Sequence, residues 1–150
     1  MRWTTDDIPP QGGRVAVVTG ANSGVGYETA RALARKGAHV VMACRNPAKA
    51  ARAIEAIRAE SESALLEFLP LDLSDLSSVR GFAAEFARRH TRLDLLSNNA
   101  GVMAIPRQTT ADGFERQLGT NHLGHFALTG LLLEPLRRTP GARVVSAKCR

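Results

Sequence analysis

The sequence predicts an α/β domain built on a doubly wound parallel sheet, and three observations carry that prediction. An apolar run, Val15 to Val18, leads into Thr19-Gly20-Ala21-Asn22-Ser23-Gly24-Val25-Gly26 and then into a segment with helical periodicity. Short apolar runs alternate with helix-length patterns along the rest of the chain, the order that gives a parallel sheet covered by helices on both faces. The 150 residues match the length of one domain, which hides about 70% of its unfolded surface, and are too few for a second full domain.

Each element has a local reason. Val15 to Val18 is the first strand. Ala30, Leu33 and Ala34 recur three and four apart along Tyr27 to Lys36, which predicts a helix, and Gly37 stands where its stop is expected. His39 to Cys44 is a short apolar second strand. Asn46 then offers an N-cap and Pro47 a preset first helical position, for a helix running to about Glu60. Leu65 to Leu71 is the third strand. Ser74 is expected to cap the next helix, whose apolar stripe is Leu76, Val79, Phe82, Ala83 and Phe86. Leu93 to Ser97 is the fourth strand, and Phe114 to Leu133 carries a long helical pattern weakened by Gly119, Gly124 and Gly130. Arg143 to Ser146 opens a fifth. Residues 1–13 are expected to form an N-terminal arm and residues 14–150 the domain.

Composition excludes several classes. The net charge of +6 comes from interspersed acids and bases with no run of five basic residues, so nucleic acid is not an expected partner. One Trp, one Tyr and five Phe also supply a base-stacking platform poorly. Only three of the 20 basic residues are lysine, which leaves 17 arginines as candidates for phosphate binding. Cys44 and Cys149 lack the spacing of a disulfide framework or a metal site, and His122 with His125 has no acidic or cysteine cluster beside it. A helix-packing role is expected for the two histidines, and no metal. Met1 to Pro10 holds Asp6 and Asp7 and no apolar core, and no apolar stretch approaches the ~18 residues of a membrane span. A soluble, cytoplasmic protein is expected.

The chemistry concentrates in the glycine turn. Gly20 lets the chain leave the strand sharply, Gly24 lets backbone approach a pyrophosphate, and Gly26 permits close helix packing. The helix start supplies free N–H groups and partial positive charge, with Asn22, Ser23 and Val25 completing the phosphate turn. NAD binders place an acid about 20 residues past the glycines, against the ribose 2'-hydroxyl. Here Cys44-Arg45 stands instead. A guanidinium holds a 2'-phosphate that a carboxylate would repel, so NADP is the expected cofactor, with Arg45 as an ordinary surface arginine the alternative. The same missing acid argues against a methyltransferase.

With Leu71-Asp72-Leu73, Asn98-Asn99-Ala100-Gly101 and Asn121 added to the glycine turn, the chain resembles the short-chain dehydrogenase/reductase family from Arg14 to Val145. The resemblance implies a Rossmann fold and an oxidoreductase that moves hydride between a nicotinamide and a carbonyl or alcohol. It implies that Asp72 and Leu73 meet the adenine, that Asn99, Ala100 and Gly101 line the cofactor cleft, and that Asn121 holds a water of the catalytic proton relay. Asp72 as a helix cap, and Asn98 and Asn99 as turn formers, are the local alternatives. Trp3-Thr4, Ile8-Pro9 and Ala43-Cys44-Arg45-Asn46 resemble the retinol-dehydrogenase-like and protochlorophyllide-reductase-like branch, which implies small, often apolar substrates.

The family's Tyr-x-x-x-Lys pair sets both side chains on one helix face, where the tyrosine supplies the proton. The one tyrosine, Tyr27, has Arg31 four residues on and lies in the phosphate helix. By spacing Cys149 takes the place of the family's serine, a thiol being a poor donor to a carbonyl oxygen; Ser146 lies three positions early, and Lys148 does not stand where the family's lysine does. The pattern breaks near Ala147. The expectation is a C-terminally truncated oxidoreductase with one strand missing, retaining the cofactor half and inactive as it stands. A non-catalytic NADP-binding or sensor module is the alternative, and unpaired sheet edges favour a homo-oligomer.

Overall fold

The computed structural model describes residues 2–147 and contains one five-stranded parallel sheet. Its strands are β1 (Val15–Thr19), β2 (His39–Cys44), β3 (Leu65–Pro70), β4 (Leu95–Asn98) and β5 (Arg143–Ser146), in the order β3-β2-β1-β4-β5. Every strand-to-strand step is parallel, with Val17 opposite both Val41 and Leu96. Helices α1 (Gly24–Arg35) and α2 (Pro47–Glu60) cover one face, while α3 (Leu76–Arg89), α5 (Gly124–Leu131) and α6 (Leu133–Arg138) cover the other.

The period-two geometry of a strand splits the apolar residues between two cores. Val15, Val17, Val41 and Ala43 pack against Val79, Phe82, Phe86 and Leu128. Ala16, Val18, Val40 and Met42 face Ala30, Ala34, Ala50 and Ile57 on the other side. A strand buried on both faces reads as a continuous apolar run, which is why β1 and β2 were visible in the sequence.

Two elements follow the sequence reading closely. β2 has the expected bounds, and α2 starts at Pro47 with the Asn46 side chain accepting from the Lys49 N–H at 3.0 Å. α1 begins three residues before the expected start, at Gly24.

Three expectations need correction. Ser74 does not cap α3: Asp75 does, accepting from the N–H groups of Ser77 and Ser78, while Ser74 donates to the Asp72 carboxylate at 2.6 Å. The long pattern from Phe114 to Leu133 is helical without interruption from Arg116 to Leu131, but it carries a π turn inside it and breaks at Leu132. A single turn, α4 (Arg116–Leu118), is capped by Glu115 and runs into a π-helical turn over Gly119–Leu123, then α5, then a break at Leu132 before α6. Two of the glycines that weaken this pattern are contact points. A Cβ at Gly119 would strike the Thr110 methyl, and one at Gly124 would strike the Leu73 carbonyl oxygen. The third correction is at β5, where the sheet is not covered: all four residues are exposed, including Val144 and Val145, because β5 ends the sheet beyond the reach of the described helices.

Residues 2–13 run beside α1. A short 3₁₀ turn at Thr5–Asp7 is closed by a capping box between Thr4 and Asp7, and buried Gln11 donates its N–H to the Lys36 carbonyl. Among the described residues no helix is long and apolar enough to cross a membrane. The expectations placed on Lys148 and Cys149 lie outside the described residues.

Candidate functional site

In a parallel α/β sheet the carboxyl ends of the strands open into loops, and ligands bind in the crevice outside them. Here the loops after β1, β2, β3 and β4 enclose a cleft of about 470 Å³. Its lining includes Gly20, Asn22, Ser23, Val25, Arg45, Asp72, Leu73, Asn99, Ala100 and Gly101, ten of the residues singled out in the sequence. Ala43, Cys44, Leu71, Val102 and Thr120 complete it.

The floor is the turn between β1 and α1. Gly20 has φ +63° and Gly24 φ +56°, a left-handed backbone that side-chain-bearing residues avoid. Gly24 does not itself line the cleft; it faces open space at the helix start. Ser23, the N-cap of α1, uses no side-chain cap bond, and the first intrahelical donor is the Tyr27 N–H, to the Ser23 carbonyl. The N–H groups of Gly24, Val25 and Gly26 are therefore left for an anion at the positive end of a twelve-residue helix. Gly26 is buried behind the turn. A Cβ there would meet the Gly20 carbonyl and the Asn99 side-chain amide, so Gly26 packs the helix onto the turn rather than onto the strands.

The turn is held by Thr19. Its hydroxyl oxygen accepts the N–H groups of Asn99 and Ala100, both at 2.9 Å, which uses its two lone pairs. The hydroxyl proton is left for His125 Nε2 at 2.9 Å, nearer than the Ser97 carbonyl at 3.4 Å. The ring hydrogen of neutral His125 then sits on Nδ1, facing the Asn121 carbonyl at 3.0 Å. Burial pushes the His125 pKa down, and the Asn121 bond only partly offsets this, so the neutral form is the one the site keeps. The expected packing role of His125 is met by this bridge from α5 to β1, while His122 is exposed.

Asn99 adds a second tie, donating from Nδ2 to the Thr19 carbonyl at 3.1 Å. Beneath the turn, buried Cys44 accepts backbone hydrogen bonds from Ala21 and Asn22; burial nevertheless pushes its thiol up to about 11. Arg45 stands exposed on the rim immediately after it.

On the far wall Asp72 accepts from the Ser74 N–H at 2.9 Å and from its hydroxyl, while the Asp72 N–H donates to Ser78 Oγ. The carboxylate is thereby fixed at the mouth of the cleft, in a turn of its own rather than as the cap of α3. Asn121 does not line the cleft. Its side chain pairs with both backbone groups of Val102, Nδ2 donating to the carbonyl and Oδ1 accepting the N–H, each at 2.8 Å. This clamps the wall segment Gly101-Val102 to the π turn. Thr120, beside it, was not singled out. It is 9% exposed, lines the cleft, and its hydroxyl has no hydrogen-bond partner among the described residues. Its one mark in the sequence is adjacency to Asn121.

Tyr27 sits half-buried on α1 against the core that α1 and α2 share, away from the cleft lining.

Comparison with known proteins agrees with this geometry. Residues 14–148 match the short chain dehydrogenase family. Polyprenol dehydrogenase of Mus musculus is 54% identical over 143 residues, covering 93% of this chain and 43% of that protein. Retinol dehydrogenase 12 of the same organism is 52% identical over 134 residues, covering 89% and 42%. The chain thus spans less than half the length of these relatives. A short chain dehydrogenase from Escherichia coli CFT073, solved in complex with NADPH, superposes with a TM-score of 0.80 at 27% identity, over 96% of this chain and 60% of that one.

Proposed function

The chain belongs to the short chain dehydrogenase family, and from that premise we propose that its cleft binds NADP(H) for hydride transfer to or from a small carbonyl or alcohol. One observation carries the reading: the turn residues Gly20, Asn22 and Ser23, Val25 in the first turn of α1 and the exposed Arg45 all line one cleft. That set suits a pyrophosphate at the helix end and a 2'-phosphate at the rim. The NADPH complex of the Escherichia coli CFT073 dehydrogenase supports the choice of cofactor.

Within this reading the N–H groups of Gly24, Val25 and Gly26 hold the pyrophosphate, Arg45 the 2'-phosphate, and Asp72 with Leu73 the adenine. Ala100 and Gly101 form the wall along the cofactor, and the unpartnered Thr120 hydroxyl offers it a hydrogen bond. The nicotinamide supplies the hydride when bound. Asn121 is a positioning residue here, because its side chain is spent on Val102. The hydride chemistry, the retinoid- or polyprenol-like substrate class and any self-association are proposals about the whole protein.

Calorimetric titration with NADPH and NADH tests the reading. NADPH should bind more tightly, and Arg45→Asp should lose about 1.5–3 kcal/mol of NADPH affinity, a factor of about 10–150, with little change for NADH. Equal losses for both cofactors would overturn the 2'-phosphate assignment.

A further inference from the structure

At the end of the sheet opposite the cleft, His39 opens β2, Glu67 lies within β3, and His90 follows the last turn of α3. The three side chains converge. Glu67 Oε2 is 2.8 Å from His90 Nε2 and 3.3 Å from His39 Nε2, and the three donor atoms all lie within 4.8 Å of one another. We propose that His39, Glu67 and His90 form a binding site for a divalent transition-metal ion of the zinc class.

The geometry and donor chemistry both point this way. Zinc bonds to nitrogen and carboxylate oxygen are ~2.0–2.2 Å long, which separates tetrahedral ligand atoms by about 3.3 Å. The His39–Glu67 separation already has that value, and the His90–Glu67 pair needs to open by only about half an ångström. Two imidazoles and one carboxylate suit zinc and its neighbours rather than magnesium or calcium, which favour oxygen alone. The side chains are held in place. Arg89 Nη1 donates to Glu67 Oε1 at 2.6 Å, which leaves Oε2 to face the two rings, and Arg89 Nε is itself tied to Glu85. His90 stacks on Phe86 with ring centres 4.9 Å apart and meets His39 edge to face at 5.0 Å. The side chain of His90 is 9% exposed and that of Glu67 18%, whereas His39, at 35%, leaves one side open for entry and for a water as fourth ligand.

Binding exchanges hydrogen bonds for metal bonds. In the metal-free site the rings give their Nε2 hydrogens to the Glu67 carboxylate; on binding, a neutral ring moves its hydrogen to Nδ1 through solvent and offers the Nε2 lone pair, and an imidazolium releases its Nε2 proton to solvent. With β2 rising ~3.3 Å per residue, five residue steps separate His39 from Cys44 by about 16 Å. The ion is therefore structural, pinning the edge strand β3 to β2 and to α3.

The test uses chelator-treated protein and Zn2+ alone. Calorimetry should give one equivalent bound at micromolar metal, and thermal melts should shift upward by about 5–10 °C at a hundredfold excess over Kd. Glu67→Gln and His90→Gln should each weaken binding at least about tenfold and abolish the shift. No binding by the parent, or unchanged binding by both variants, overturns the site. Should the variants fail to fold, zinc-edge absorption of the loaded parent decides. Nitrogen and oxygen neighbours at ~2.0–2.1 Å with imidazole scattering support the site, and sulfur at ~2.3 Å overturns it.

Discussion

Gly26 and Gly81 both lie in helices, and the structure predicts that the same substitution acts in opposite directions at the two. At Gly26 a Cβ would fall 2.9 Å from the Gly20 carbonyl carbon and closer still to its oxygen and to Asn99 Nδ2. Neither neighbour yields freely. The Gly20 N–H is bonded to the Ala43 carbonyl at 2.9 Å, and the Asn99 amide to the Thr19 carbonyl at 3.1 Å. Overpacking of this kind costs ~1–3 kcal/mol and loss of the Asn99 bond about 1 more, against a helix-propensity gain of at most ~1. Gly26→Ala should therefore destabilise the fold by about 1–3 kcal/mol, or roughly 2–10 °C in Tm at this chain length. It should also weaken NADPH, since the turn retreats from its place. Gly81, exposed in α3, has no atom within 4 Å of the added carbon, so Gly81→Ala should stabilise by about 0.5–1 kcal/mol and leave NADPH binding unchanged. Urea denaturation followed by circular dichroism, with calorimetry for the cofactor, reads both. A Gly26→Ala protein as stable as its parent and equally avid for NADPH would refute the packing argument.

Three further outcomes follow from local geometry. Burial holds His125 below the ordinary histidine value of 6.5, so the folded state takes up a proton less readily than the unfolded chain. Stability is then complete above that value and falls as pH drops below it, and His125→Gln should flatten this part of the denaturation profile; parallel profiles would count against the neutral His125 bridge. Cys44, with its thiol near 11, should react with iodoacetamide at about pH 8 far more slowly than free cysteine when assayed in a Cys149→Ser background, and a rate like that of free cysteine would contradict its burial. Asn46→Ala removes the α2 cap and should cost about 0.5–2 kcal/mol in urea denaturation without altering cofactor affinity.

The strands and the cofactor turn were legible in the sequence because their causes are local. β2 is apolar at nearly every position since both its faces are buried, and Asn46-Pro47 starts a helix through one side chain and one fixed torsion. The same holds for Gly20 and Gly24, whose positive φ values belong to the turn itself. The reading erred where causes lie far along the chain. Gly119 and Gly124 look like helix breakers until Thr110 and Leu73 are packed against them; the cap of α3 is instead a local competition, in which Asp72, two residues before Ser74, takes its hydroxyl and Asp75 caps the helix.

The sequence alone determined the sheet class, the glycine turn after the first strand and the identity of most residues that line the cleft. Tertiary structure decided what those residues do to one another. Thr19 became the hub joining Asn99, Ala100 and His125, Asn121 was spent on Val102, Thr120 was left in the wall without a partner among the described residues, and three ligand-type side chains from β2, β3 and the end of α3 met at the opposite end. The division has a physical basis. Backbone torsions and periodic burial are set by neighbours a few residues away, whereas hydrogen-bond partners and ligand geometry depend on which distant segments the sheet brings within about 3 Å.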